Sequence, residues 1–121
     1  MPDERRINAR RKFGYYMRIF DNVTNEIVGY LSDISPRGFR LDSPKLLAVN
    51  KEFTLRLDLT SEVSDRLFIV FIASVKWSKQ DPFDPNSFIE GFQITNIAPR
   101  DEEIFNRILD KYGKTEVKAK W

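Results

Sequence analysis

From about residue 13 onward the chain is built of short runs in which apolar and polar positions alternate, separated by turn-forming residues. The clearest run is Lys51 to Leu59. Phe53, Leu55, Leu57 and Leu59 alternate there with Thr54, Arg56 and Asp58, the period-two signature of a half-buried strand. Gly14 to Phe20, Ile27 to Asp33 and Phe39 to Asp42 read as further strands, rich in aromatic and branched residues. Asp21-Asn22, Thr24-Asn25 and Ser35-Pro36-Arg37-Gly38 supply the turn chemistry between them. Arg66 to Lys79 predicts a long strand. Leu67, Ile69, Phe71, Ala73, Val75 and Trp77 share one face, while the other changes from Phe68, Val70 and Ile72 to Ser74, Lys76 and Ser78. That doubly apolar first half calls for a cover, either a partner chain or, as the favoured reading, a helix. Asp81-Pro82 and Asp84-Pro85 predict a loop. Ser87 to Thr95 is the last strand, with Phe92 and Ile94 inward.

A helix follows. Pro99 suits a first helical position, where its missing N–H does no harm. Asp101, Glu102 and Glu103 complement the dipole at that end. Ile104, Phe105, Ile108, Leu109 and Tyr112 form one apolar stripe. Lys111 falls in the last turn, and Gly113 suits the C-terminal cap. Short connections favour antiparallel pairing. The expected fold class is therefore all-β with a C-terminal helix, a six-stranded antiparallel β-barrel. Residues 1–12 form a charged arm, 13–97 the barrel, 98–113 the helix packed on it, and 114–121 a tail.

Composition narrows the function. The 121 residues suit one domain, and ten Phe, four Tyr and two Trp supply core bulk. The chain has no Cys and no His, which removes disulfide scaffolds, Cys/His zinc sites and every mechanism with a histidine base. No P-loop and no carboxylates at metal spacing are found, and Ser35 has no base to activate it. The expectation is a non-enzyme without a cofactor. The apolar run Leu67 to Ala73 is too short to span a bilayer, and the N-terminus has no apolar segment of the signal-peptide kind. A cytoplasmic protein that does not insert into membranes is expected. Net charge is +2, and it is uneven. Residues 1–12 hold five basic and two acidic side chains, net +3, against 15 and 16, net −1, in the rest. A local anion site fits that distribution better than broad DNA or RNA binding.

Two constellations carry chemistry. The first is Arg5-Arg6-x-x-x-Arg10, followed by Arg11 and Lys12. A guanidinium fork suits phosphate and the O6/N7 edge of guanine, and it stacks on rings. Alone this is a weak signal, because charged tails are usually just solvated. The second is Asp33-x-Ser35-x-x-Gly38 between two strands. Asp33 accepts from guanine N–H donors or orients an arginine, and Ser35 donates to phosphate. Gly38 permits positive φ and close backbone approach. The plain alternative is ordinary turn chemistry.

In this order and spacing the pair resembles the signature of the PilZ family, RRxxxR followed by [D/N]xSxxG, here RRINAR at 5–10 and DISPRG at 33–38. The GFRL from Gly38, the VKW at 75–77, the EGFQI at 90–94 and the closing amphipathic helix are similar too, so the resemblance runs from Glu4 to Tyr112. It implies a PilZ-type, split-barrel-like fold that binds cyclic di-GMP. Arg5, Arg6, Arg10, Asp33, Ser35 and Gly38 would be the binding residues. In that family an arginine at the Arg5 position goes with a stacked pair of ligand molecules. Arg37, Arg40 and Trp77 are additional candidates. Arg37 and Arg40 flank the turn and either meet phosphate or face water. A tryptophan at 77 faces a base or, more commonly, fills the core. Tyr15 and Tyr16 adjoin the arm as a stacking platform or as plain strand.

The function expected is a cyclic di-GMP receptor or adaptor, monomer or homodimer, whose arm becomes ordered on the ligand and is read by a downstream partner protein. The alternative is a nucleotide-independent PilZ adaptor for other proteins, which the intact signatures argue against. A single-stranded nucleic-acid binder would need a basic groove, and the near-neutral body argues against that.

Overall fold

Strand alternation dictates most of the architecture. The computed structural model describes residues 17–61 and 63–113. Six strands lie among them: β1 (Met17–Asp21), β2 (Ile27–Ser35), β3 (Gly38–Ser43), β4 (Glu52–Asp58), β5 (Phe68–Asp81) and β6 (Asp84–Ile97). They close into a barrel in the order β1-β2-β3-β6-β5-β4, with β4 returning to β1. Every pairing is antiparallel. The helix α1 (Pro99–Ile108) follows and runs on as a π-helical turn, Leu109–Gly113.

The interior is aromatic. Phe39 stacks on Phe92 at 5.1 Å, and Phe71 meets Phe39 edge-on at 5.5 Å. Phe53 touches Phe92 at one end of this chain, and Phe105 of α1 touches Phe71 at the other. Such offset and edge-on pairs each add about 0.5–1.5 kcal/mol beyond burial. Ile104, Phe105 and Ile108 join the barrel core as one buried cluster. The helix is thus a plug at one mouth of the barrel. It does not lie on the outer face of β5 as the alternation predicts. Phe68 is 41% exposed, and Val70 and Ile72 are half-buried outside the core cluster. The Arg56 guanidinium partly covers this wall, 4.6 Å from the Phe20 ring and 5.9 Å from Phe68.

Asp101 does more than complement the helix dipole. Its carboxylate accepts from Arg66 and from the Val70 N–H, pinning the first turn to β5. The helical hydrogen-bond pattern also changes at Leu109, earlier than the cap expected at Gly113. Leu67 stands before β5 and is 80% exposed. Phe68 onward is held by pairing with β4, whereas Leu67 is not in that ladder.

The expected loop at residues 81–85 is instead a tight hairpin. Asp81 pairs with Asp84, and its carboxylate accepts from the Phe83 N–H. The register then jumps to Gln80 opposite Phe88. Pro85 therefore sits in the bulged stretch, where no ladder donor is required of it. At the β1–β2 turn Asn25 takes φ 66°, and Asp21 accepts from the Val23 and Thr24 N–H groups.

Among the buried acidic side chains of the described residues, Glu90 is the most enclosed. Glu90 is fully buried and accepts from the Ser43 and Ser78 hydroxyls. Burial pushes its carboxyl above the ordinary 4.5, and the nearby Asp42 adds to the rise, while the serine hydroxyls oppose it.

Two outcomes follow from this packing. Phe105→Ala should lower unfolding free energy by about 3–5 kcal/mol in urea denaturation, as core phenylalanine truncations do. A raised carboxyl in the native state means that the folded chain holds its proton longer than the unfolded one. The stability from Glu90 is therefore complete below pH 4.5 and lost as pH rises through the folded value. Glu90→Gln should flatten that part of the stability–pH curve, measured by urea unfolding across pH.

Candidate functional site

The turn Ser35-Pro36-Arg37-Gly38 is a two-residue hairpin between β2 and β3, with Ser35 paired to Gly38. Pro36 suits its first central position. The Arg37 carbonyl accepts from the Ile94 N–H, which ties the turn to β6. Gly38 does not take a φ in the left-handed region, so the positive φ that glycine permits is not what the site uses. Close approach is. A Cβ at Gly38 would come within 2.0 Å of the Phe92 carbonyl oxygen, so only glycine lets β3 run this near β6.

Two bulges orient the side chains around the turn. In β2 the register jumps between Leu31 and Asp33, leaving Ser32 as the extra residue. Leu31 and Ile34 therefore both point into the core at a spacing of three, and Asp33 is turned to the other face. There its carboxylate accepts from Arg40 at 3.0 Å and from the Ile34 N–H at 2.8 Å. Arg40 is thus not a simple surface charge, since Asp33 holds it in place. In β5 the register jumps between Val75 and Trp77, with Lys76 as the extra residue. Ala73 and Val75 are fully buried, but Trp77 is half-buried and belongs to the outer face. The core placement that plain alternation favours for Trp77 is corrected by this bulge.

Both bulges deliver side chains to one row. Asp33 is opposite Arg40, Arg40 opposite Gly91, and Gly91 opposite Trp77. Gly91 is the gap in the row. A Cβ there would lie 2.3 Å from the Trp77 indole nitrogen, so the indole rests directly over the glycine backbone. Beside it is a mainly apolar pocket of ≈ 360 Å³, lined by Arg37, Gly38, Lys76, Trp77, Phe92 and Gln93 among others. It offers a flat aromatic wall with two cations at its rim. That suits a planar heterocycle carrying negative charge.

Ser35 is buried, and its hydroxyl donates to the Gly38 carbonyl at 3.4 Å, near the limit of a hydrogen bond. Arg5, Arg6, Arg10, Tyr15 and Tyr16 lie outside the described residues. The structure thus brings together Asp33, Ser35, Gly38, Arg37, Arg40 and Trp77. Lys76 and Gln93 are not singled out by the sequence. Lys76 and Gln93 carry no signal of their own, while Gly91 between two core positions hints at a close approach. Among the described residues no cluster of three or more acidic side chains could hold a metal, and no helix is long and apolar enough to cross a membrane.

The PilZ domain family model matches residues 4–111. Similar solved structures include the PilZ domain of YcgR from Escherichia coli with c-di-GMP, 16% identical at a TM-score of 0.59, covering 85% of this chain and 84% of that one. K. pneumonia MrkH in its apo state is 21% identical at 0.62, covering 85% and 47%. Bacillus subtilis MotI/DgrA, an inhibitor of motility, is 14% identical at 0.59, covering 88% and 48%. The chain spans about half the length of these last two. At such identities the likeness shows the shared fold. No curated protein sequence matches the chain.

The two glycines should respond differently to alanine. Gly38→Ala sets a methyl against backbone and should destabilise by about 1–3 kcal/mol in thermal unfolding. In Gly91→Ala the nearest atoms that the new methyl meets belong to the Trp77 indole, a side chain rather than backbone. This substitution should leave the melt closer to wild type and shift tryptophan emission instead.

Proposed function

The chain belongs to the PilZ domain family, and from this premise we propose that it is a receptor for cyclic di-GMP that passes its signal to a partner protein and performs no chemistry on the nucleotide. The row Asp33–Arg40–Gly91–Trp77 beside the Ser35–Gly38 turn is the observation that carries this reading. The ligand has two guanines and two phosphates. The Trp77 ring offers one base a stacking surface, and Gly91 leaves room for it. Arg37 and Lys76 stand at the pocket rim to meet phosphate. Asp33 sets the direction of Arg40, and the long Ser35 contact is readily exchanged for a phosphate oxygen.

Arg5, Arg6 and Arg10 complete the site in this reading, with their forks on guanine edges and phosphates. Support comes from where the chain enters the barrel. Met17, the first described residue, pairs with Leu31, two positions from Asp33. At roughly 3.3 Å per extended residue, the stretch back to Arg10 can span about 23 Å, enough to cross the pocket. Closing that arm over the ligand changes both shape and charge at the barrel surface, and a downstream protein would read this change. The YcgR domain solved with c-di-GMP shares the fold, which supports the same ligand here.

Isothermal titration of cyclic di-GMP tests the reading. Saturable binding to wild type, and its loss in Arg10→Ala or Asp33→Ala with an unchanged thermal melt, is the expected result. A fitted ratio of two ligands per chain in wild type that falls to one in Arg5→Ala would assign Arg5 to a stacked pair. A flat titration of folded wild type overturns the receptor reading and leaves the nucleotide-independent adaptor.

A further inference from the structure

Glu90 is a buried carboxyl for which ligand binding has no direct use. It is fully inaccessible, and its two oxygens accept from Ser43 of β3 and Ser78 of β5. Burying an acid is costly unless it is well hydrogen-bonded, so its retention asks for a reason. The pairing supplies one. Glu90 lies opposite Leu41 and opposite Ser78, and Leu41 is fully buried in the barrel core. Ser78 and Glu90 are therefore on the inner face. Their immediate neighbours, Trp77 and Gly91, form the adjoining outward pair.

Two registers compete at this point of β5. Without the extra residue at Lys76, strict alternation after Ile69, Phe71, Ala73 and Val75 would carry Trp77 inward and Ser78 outward. Hydrophobicity favours that register, since it buries an indole and exposes a hydroxyl. The observed bulge does the reverse. The hydrogen bond from Ser78 to Glu90 at 3.0 Å exists only with Ser78 inward. Ser78 also accepts from the Leu47 N–H at 3.3 Å, and the Lys45 carbonyl lies 2.7 Å from the Ser43 oxygen, where it competes with Glu90 for the one hydroxyl proton. The β3–β4 loop is thereby tied into the same network. Losing the bulge would take the Ser78 donor away from a buried carboxyl.

We propose that Glu90, acting through Ser78, is the positioning residue that holds the β5 bulge and so keeps Trp77 on the outer, ligand-facing side of the barrel. Its effect on ligand binding rests on the cyclic di-GMP reading. Its effect on Trp77 does not.

The test uses the full chain in a Trp121→Phe background, which leaves Trp77 as the single tryptophan of the two in the sequence. Acrylamide quenching reports whether the indole is accessible, and titration reports affinity. In Glu90→Leu and in Ser78→Ala the indole should become protected from quencher, and cyclic di-GMP affinity should fall roughly tenfold, the scale of one lost base-stacking contact. Glu90→Gln keeps an acceptor for Ser78 and should preserve both readouts. Phe105→Ala, which weakens the fold elsewhere, should leave quenching unchanged. Should Glu90→Leu fail to fold, Ser78→Ala decides alone. Wild-type quenching in the folded variants overturns the inference. Altered quenching in a protein whose wild type binds no cyclic di-GMP upholds the positioning role and overturns the receptor reading only.

Discussion

A closed barrel gives every strand residue two directions, inward to the core or outward to solvent, and the choice passes down the strand in strict alternation. With six strands and an interior filled by Phe39, Phe53, Phe71 and Phe92, no side chain can be moved across the wall without displacing its neighbours. A bulge is the device that switches faces locally while leaving the rest of the strand in register. This barrel has one in β2 and one in β5 beside the candidate site. The first turns Asp33 outward while Leu31 and Ile34 stay in the core. The second turns Trp77 outward while Ala73 and Val75 stay in the core. The row Asp33–Arg40–Gly91–Trp77 exists because both switches fall on the same line across four strands.

Both glycines of the site belong to the same constraint. Gly38 lets the turn approach the Phe92 carbonyl, and Gly91 lets an indole lie on the sheet. Neither needs an unusual backbone angle. Each is a missing side chain where a wall must be thin, and the flat surface that results suits a purine. Asp33 is held in turn by Arg40 and the Ile34 N–H. The Asp33–Arg40 pair is thus fixed by the barrel itself.

Sequence reading recovers what local pattern determines. The β4 alternation, the Pro-Gly turn and the Pro99 helix start each rest on neighbouring residues, and each appears where expected. What it misses depends on distant partners. The alternation in β5 points Trp77 inward, because the bulge that reverses it is set by Ser78, Glu90 and Gly91 across the sheet. The helix seat is misread for a similar reason. Phe68, Val70 and Ile72 look like an apolar face awaiting cover, yet Arg56 from β4 lies over the Phe68 ring there. The helix meanwhile finds a larger apolar target in the open mouth, where Phe105 reaches Phe71. Arg66 and Asp101 are 35 positions apart, so their ion pair has no local signature.

Glu90 illustrates how a core can be made specific at a cost in stability. An apolar residue of similar size would fit the inner face and would remove a desolvated charge, so burial alone argues against glutamate. Hydrophobic packing, however, is nearly indifferent to which apolar group fills a given space, and it would welcome the Trp77 indole. A directional acceptor is not indifferent. It rewards the one register in which Ser43 and Ser78 both point at it, and penalises the alternative by leaving it short of donors. The buried carboxyl therefore works against the same hydrophobic alternation that builds the rest of β5, at the one place where obeying that alternation would remove the aromatic wall of the site.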